Sequence, residues 1–377
     1  MLAAGTAAAA TQSAVLIGLP VLAPALRDEY GLSLGEVGLL LASQWIGPTV
    51  TLLPWGLLAD RIGERLVLAL GLGGSGLFLL GAAAVDAFAA LVVLLSLGSA
   101  AGASVNSASG RAVMNWFGAD ERGLALGLRQ TAIPLGGVAA ALGLPPVEDA
   151  WGVGGAFVAL AVLSLAGALA GWVVVRDRGR EGVEPEAVPW TLRDSRLWRL
   201  CAGSGLYLVA QVAMMGFVVL FLHDERGLTT GEAGVVLAVS QAVAVGLRIG
   251  AGRWSDRLRA RIVPLRRVGL AIASTLAVAA ALTGAPLVLL LPALVAAGAL
   301  SMAWNGLSFT AAAELAGRAR SGAAIGFQQT VLSVVGAAVP VAFAATVSGI
   351  SWGAAFGLAA LFPLAGWWAL GPLAERR

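Results

Sequence analysis

Apolar runs of about 20 residues recur along the whole chain, each ended by a short cluster of charged or turn-forming residues. A run of that length crosses a hydrocarbon layer of roughly 30 Å as an α-helix. The short alternating segments of strands are absent, and lipid accepts only helices or closed barrels, so the pattern predicts an all-α membrane protein. Twelve spans are expected: 6–26, 35–55, 66–85, 88–114, 123–144 and one ending at Val175, then 197–222, 232–252, 266–284, 286–312, 322–346 and 352–370. Pro145-Pro146 with Glu148-Asp149 marks the expected turn between spans five and six. Residues 176–196 are polar, rich in arginine, glutamate and proline, and read as a linker. Trp190 and Trp198 suit a membrane surface there. The chain thus divides into a six-helix bundle at 1–175, a cytoplasmic linker at 176–196 and a second six-helix bundle at 197–377.

One burst of charge stands out between spans two and three: Gly56-Leu57-Leu58-Ala59-Asp60-Arg61-Ile62-Gly63-Glu64-Arg65. A second version, Gly252-Arg253-Trp254-Ser255-Asp256-Arg257, follows span eight. The two are separated by 196 residues, as are Gly31-Leu32-Ser33-Leu34-Gly35-Glu36-Val37-Gly38 and Gly227-Leu228-Thr229-Thr230-Gly231-Glu232-Ala233-Gly234. Gly123, Ala125, Gly127, Gln130 and Thr131 match Gly322, Ala324, Gly326, Gln329 and Thr330 at an offset of 199, which Asn106 and Asn305 share. Charged and amide positions in register over several spans imply two pseudo-symmetric halves in parallel orientation. In transporters built that way the solute site lies between the halves.

Composition agrees and adds an orientation. The chain of 377 residues is 59% hydrophobic and 12% charged, with a mean hydropathy of +0.87. Its 24 basic residues are all arginine. Twenty of them fall at one set of span ends, Arg27 and Arg226 at the other, and Arg129 and Arg248 within spans. The positive-inside rule then places both termini in the cytoplasm and reduces the basic pI to a topology signal, with no nucleic-acid partner. Cys201 and His223 are the single cysteine and histidine, so no disulfide, metal cluster or cofactor is expected. Without clustered acids, a nucleophile with its base or a Walker-type loop, an enzyme or an ATP-driven machine is not expected.

The loop Gly56-x3-Asp60-Arg61-x-Gly63-x-Arg65 resembles the signature of the major facilitator superfamily of secondary transporters, and Gly252, Asp256 and Arg257 resemble its weaker second copy. The resemblance implies that Asp60 meets the start of span eleven near Gly322, and Asp256 the start of span five near Gly123. Such contacts would latch the cytoplasmic side, the carboxylates lying against positive helix ends. Gly56 would let span two approach a neighbouring helix closely. The second copy lacks the glycine corresponding to Gly63, so its turn is expected to differ.

Charge inside a bilayer is costly, which makes an intramembrane arginine a candidate site residue. Arg248 lies eight residues before Asp256, about 12 Å into span eight. The chain also resembles the nitrate/nitrite, cyanate and oxalate or monocarboxylate branches. In nitrate/nitrite porters and oxalate or monocarboxylate transporters a span-eight arginine at a similar place contacts the anion, and the resemblance implies that role for Arg248. Leu52 occupies the first-half position, so the paired arginines of nitrate porters are not reproduced. For Arg129, paired by the repeat with Gln328, two readings stand open: a substrate contact, or a snorkelling or helix-bonding arginine. Gln44 and Gln241, Asn106 and Asn305, and Gln130 and Gln329 are polar pairs that either face substrate or join helices. The resemblance adds Tyr207, Gln211 and Trp304 on the cavity-lining spans seven and ten. Pro48, Pro54, Pro134 and Pro340 are expected kinks.

No Asp or Glu lies deep in a span, so a bound anion is expected to supply the missing negative charge, by exchange or with a proton. The expected protein is a monomeric transporter of a small carboxylate-like anion in a bacterial plasma membrane, acting by alternating access as antiporter or proton symporter. A drug or metabolite exporter of the same fold is the alternative.

Overall fold

The computed structural model describes residues 2–106, 130–175, 194–317 and 321–373. Their helices are α1 (Leu2–Tyr30), α2 (Leu34–Ile62), α3 (Glu64–Ala82), α4 (Phe88–Gly102), α5 (Ala132–Val174), α6 (Ser195–Asp224), α7 (Thr230–Leu258), α8 (Ile262–Ala281), α9 (Leu287–Ser301), α10 (Asn305–Ala316), α11 (Ser321–Gly349) and α12 (Trp352–Ala369). Among the described residues, 11 helical stretches are long and apolar enough to cross a membrane. One of them, α5, has 43 residues, about 65 Å of helix and twice what a bilayer needs. It is broken at Gly152, whose φ of 67° and ψ of −176° only glycine adopts readily. The expected turn at Pro145-Pro146 is therefore displaced: both prolines stay helical, and the break comes where a side chain is absent.

The repeat is visible in local geometry. Ser33 caps α2 and Thr229 caps α7, each hydroxyl accepting from the backbone N–H of Glu36 (3.3 Å) or Glu232 (3.2 Å). Each glutamate accepts in return from the cap's own N–H at 2.9 Å, a reciprocal capping box. Gly31 (φ 61°) and Gly227 (φ 67°) turn the chain just before them. These features define the capping-box end of the bundle; the charged repeats lie at the opposite, motif end. There Gly63 joins α2 to α3 with φ 87° and ψ 164°. Its counterpart, Arg259, also takes a positive φ of 49° but a ψ of 35°, so the second turn does differ.

Two further breaks match. Helix α4 ends at a turn on Ala103, and α9 and α10 are separated at Met302–Trp304 where one unbroken span was expected. Helix α1 packs on α5, α3 on α4 and α5, and α2 on α4. In the later part α12 packs on α6 and α8, and α7 on α9. Between the two parts, α2 meets α11, α5 meets α7 and α1 meets α6.

The closest of these contacts are symmetric. A methyl group on Gly38 would stand 2.8 Å from both the Pro340 carbonyl oxygen and the Ala344 methyl. On Gly234 it would stand 2.5 Å from the Ala141 carbonyl oxygen and 3.5 Å from a Pro145 ring carbon. The partners are repeat mates throughout, at the offsets of 196 and 199 read from the sequence. Phe217, Phe221, Phe343, Trp352 and Phe356 add an aromatic cluster to the same end. At the motif end, methyl groups on Gly56, Gly252, Gly322 or Gly326 would meet nothing within 4 Å among the described residues. The expected close approach of Gly56 is thus not made to any of the described residues.

Candidate functional site

Arg248 lies in α7, 8% exposed. Its Nε donates to the Met302 carbonyl at 2.8 Å, where the turn between α9 and α10 interrupts the helix. One terminal nitrogen donates to Asn305 Oδ1 at 2.9 Å, the other to the Gln130 carbonyl at 2.5 Å. The guanidinium therefore ties α7 to the broken tenth span and, across the halves, to the start of the fifth. It has five N–H groups, and three are used in these bonds. None of the ion pairs among the described residues involves it. A buried cation held only by neutral acceptors is costly, and a carboxylate or other oxyanion is the chemistry that completes it.

The remaining expected residues divide. Asn305 joins Arg248, while its repeat mate Asn106 is exposed. Gln130 contributes its carbonyl, and Gln130 and Gln329 have half-buried side chains. Arg129 lies outside the described residues. Gln241 is fully buried beside Gly137, with both side-chain polar atoms unpartnered. Gln44 lies elsewhere, lining a small pocket within the first half with Gln12, Ser75, Ser99, Phe157 and Leu160. Gln211 is buried and donates to Met215 Sδ at 3.5 Å.

Tyr207 and Trp304 lie deeper in the second half. Tyr207 is fully buried, and its ring fills the space beside Gly269 of α8 and Gly366 of α12, away from the interface between halves. Trp304 is also fully buried, edge-on to Tyr207 at 6.2 Å. Both belong to the interior of the second half. Pro48, Pro54 and Pro340 lie inside helices as expected, whereas Pro134 falls in the first turn of α5.

A hydroxyl-amide cluster went unforeseen. Gln328, the mate of Arg129, donates to Ser308 Oγ at 2.6 Å and Ser204 Oγ at 3.2 Å, joining α11, α10 and α6. Its signal in the sequence was only a glutamine where the repeat has an arginine.

Residues 2–340 match the family model described as Major Facilitator Superfamily. The chain belongs to the major facilitator superfamily. It is a multi-pass membrane transporter for a small-molecule substrate, as that membership entails. It is 34% identical over 354 residues to an uncharacterised MFS-type transporter of Mycobacterium tuberculosis, covering 92% of this chain and 79% of the relative. Over 164 residues it is 34% identical to a probable L-galactonate transporter of Escherichia coli, covering 43% of this chain and 36% of the relative. Its fold is similar to a bacterial homologue of the human lysosomal transporter Spinster in an inward-facing, occupied conformation. The TM-score is 0.82 at 17% identity, over 98% of this chain and 95% of that one.

The superfamily signature then has this geometry. Arg61 is exposed, and the Arg65 guanidinium lies 4.2 Å from the Trp172 ring centroid. In α8, beyond the second copy, Arg266 lies 4.7 Å from the Trp367 ring centroid, another cation–π contact. Asp256 accepts from Arg261 at 2.5 Å, and Arg261 also donates to Glu314 at 2.9 Å. Burial alone would pull the Arg261 guanidinium down, but its hydrogen bonds to the two carboxylates push it up. Arg257 is exposed. The Asp60 side chain and Gly123 lie outside the described residues, so neither implied latch contact is described. Asp256 is instead engaged within its own half.

Proposed function

We propose that this superfamily member is a secondary active transporter of a small carboxylate-like anion, with Arg248 as the anion-binding residue. The observation that carries the reading is the buried Arg248 guanidinium, held by three neutral acceptors and no carboxylate among the described residues. Asn305, Gln130 and Gln329 complete the proposed site, and Gly56, Asp60, Gly252 and Asp256 form the cytoplasmic latch. Support also comes from the relative named as a probable L-galactonate transporter, since galactonate is a carboxylate. With α5 counted as two crossings, the helices make twelve spans in two six-helix bundles around a cytoplasmic 176–196 linker. Both termini then lie in the cytoplasm of a bacterial cell, and the motif end is the cytoplasmic end. Alternating closure of the two ends moves the anion, by exchange or with a proton. An exporter of neutral lipophiles would leave the Arg248 charge without a role.

The test is a thermal-shift panel of galactonate, glucuronate, lactate, nitrate, cyanate and a neutral lipophilic drug on the purified protein, repeated on Arg248→Ala and Arg248→Lys. A ligand at 100 times its Kd stabilises the folded state by about 2.7 kcal/mol. Carboxylates are expected to raise Tm in the native protein and not in Arg248→Ala, with the lysine variant weakened because it loses the planar fork. Equal carboxylate stabilisation of native protein and Arg248→Ala would sink the assignment; stabilisation by the drug alone would favour the exporter.

A further inference from the structure

At the capping-box end, the last turn of α1 meets the last turn of α6 in an ion pair between Arg27 and Asp224, one residue from each half. Arg27 Nε also donates to the Leu32 carbonyl at 3.2 Å, which fixes its direction. The single histidine of the chain is beside the pair, with His223 Nδ1 3.0 Å from Asp224 Oδ1. The repeat gives this cluster a second meaning. At the offset of 196, Arg27-Asp28-Glu29 aligns with His223-Asp224-Glu225. The symmetric partner of the Arg27–Asp224 pair is therefore His223 with Asp28. Asp28 is exposed and has no ion pair or hydrogen bond among the described residues.

We propose that His223 is a proton-binding site that locks the capping-box end: once charged, it pairs with Asp28 and completes a twofold set of ion pairs across the halves. The sign follows from the surrounding charges. On α1 stand Arg27, Asp28 and Glu29, a net charge of −1. On the facing side Asp224, Glu225 and Arg226 also sum to −1 while His223 is neutral. The Arg226 guanidinium is committed to the Thr283 and Ala285 carbonyls at 3.2 and 2.6 Å. Glu36 and Glu232 opening α2 and α7, Asp86 before α4, and Glu148 and Asp149 in α5 add only negative charge, and the turn between α11 and α12 carries none. A proton on His223 removes the excess on its side, so acid strengthens contact between the halves. Histidine is the side chain suited to change charge between about pH 5 and 8.

The experiment places spin labels on Ala87→Cys and Ile350→Cys, in the loops of opposite halves at this end, in a full-length Cys201→Ala background. The inter-label distance distribution is measured in detergent at about pH 8 and about pH 5.5. Acid is expected to raise the ratio of short-distance to long-distance populations roughly two- to fivefold, as suits an exposed ion pair. His223→Gln and Asp28→Asn should each abolish the acid response, and His223→Arg should hold the short distance at both values. Arg27→Gln should lengthen the distance at both values yet keep the response. A full response in His223→Gln or in Asp28→Asn overturns the proposal, as does a His223→Arg protein that still responds. Every variant is judged folded by its Tm, so a lost response counts only at native Tm; the His223→Arg lock then decides.

Discussion

Gly38 and Gly56 lie on the same helix, about five turns apart, and meet opposite surroundings. The first touches the Pro340 carbonyl of α11, while a methyl group on the second would have no described atom within 4 Å. Their repeat mates behave alike, Gly234 lying against Ala141 and Gly252 standing clear of all described residues. In a lipid environment, where helix association depends on close packing, small residues mark the surfaces where backbones approach. In the proposed cycle, two glycines per half mark two closing surfaces, of which the Gly38/Gly234 pair is in contact here. The ends also differ in how symmetric they are: the glycine contacts match residue for residue, but the aromatic cluster belongs to the second half alone.

The largest effect is expected where the contact is made. Gly38→Leu and Gly234→Leu each drive a side chain into a backbone carbonyl, overpacking that costs about 1–3 kcal/mol in the closed arrangement. The Ala87/Ile350 label distance should lengthen, and transport in proteoliposomes should fall about tenfold or more. Gly246→Ala, with no described atom within 4 Å, is the control and should leave both unchanged. An unchanged distance in both leucine variants would remove the basis of the comparison.

Gly56→Leu should then separate structure from turnover. No described atom opposes the side chain, so Tm and the label distance are expected to remain native. In the proposed alternating-access cycle the motif end also closes, and a few-fold loss of transport rate is expected from the same overpacking in that state. Native transport by Gly56→Leu would show that this end closes without helix contact there.

How far the sequence carried this picture depended on what each feature rests on. Apolar periodicity and repeat spacing anticipated the long apolar helices, the pairing of Ser33-x2-Glu36 with Thr229-x2-Glu232, and the place of Arg248 inside a helix. The partners of Arg248 were out of reach, because two of three are backbone carbonyls, and the turn that presents Met302 contains neither proline nor glycine. The inward position of Tyr207 was out of reach for a different reason. Helix α6 is buried on nearly every side, so its apolar pattern carries no phase to say which face meets the other half. The double proline misplaced the turn in α5 because proline in a membrane helix can be accommodated, whereas the dihedral angles of Gly152 cannot be continued as helix.

Smaller changes sharpen the contrast locally. Ser33→Ala removes an N-cap at the capping-box end and should lower stability by about 1 kcal/mol, read as a reduced Tm. Thr229→Ala should cost the same, since its bonds match. At the motif end the sign reverses: Arg259 is the one non-glycine residue with positive φ among those described. Arg259→Gly should therefore raise stability by about 1 kcal/mol, unless lost helix propensity cancels the relieved strain. A lower Tm would mean that the arginine makes a contact outweighing its backbone.

The smallest effect is expected from Arg261→Gln. Arg261 holds Asp256 and Glu314, carboxylates whose side chains are 68% and 53% exposed. Pairs so exposed are screened and contribute under about 1 kcal/mol, falling with salt. The direction is more informative than the size. Asp256 is expected to serve the latch only when released from Arg261, so the variant should favour closure of the motif end and lengthen the Ala87/Ile350 distance slightly. The shift should shrink in high salt as the native pair is itself screened. Glu314→Gln, which leaves the Asp256 contact in place, should not reproduce it, and an equal response in both variants would make Arg261 a topology charge with no part in the latch.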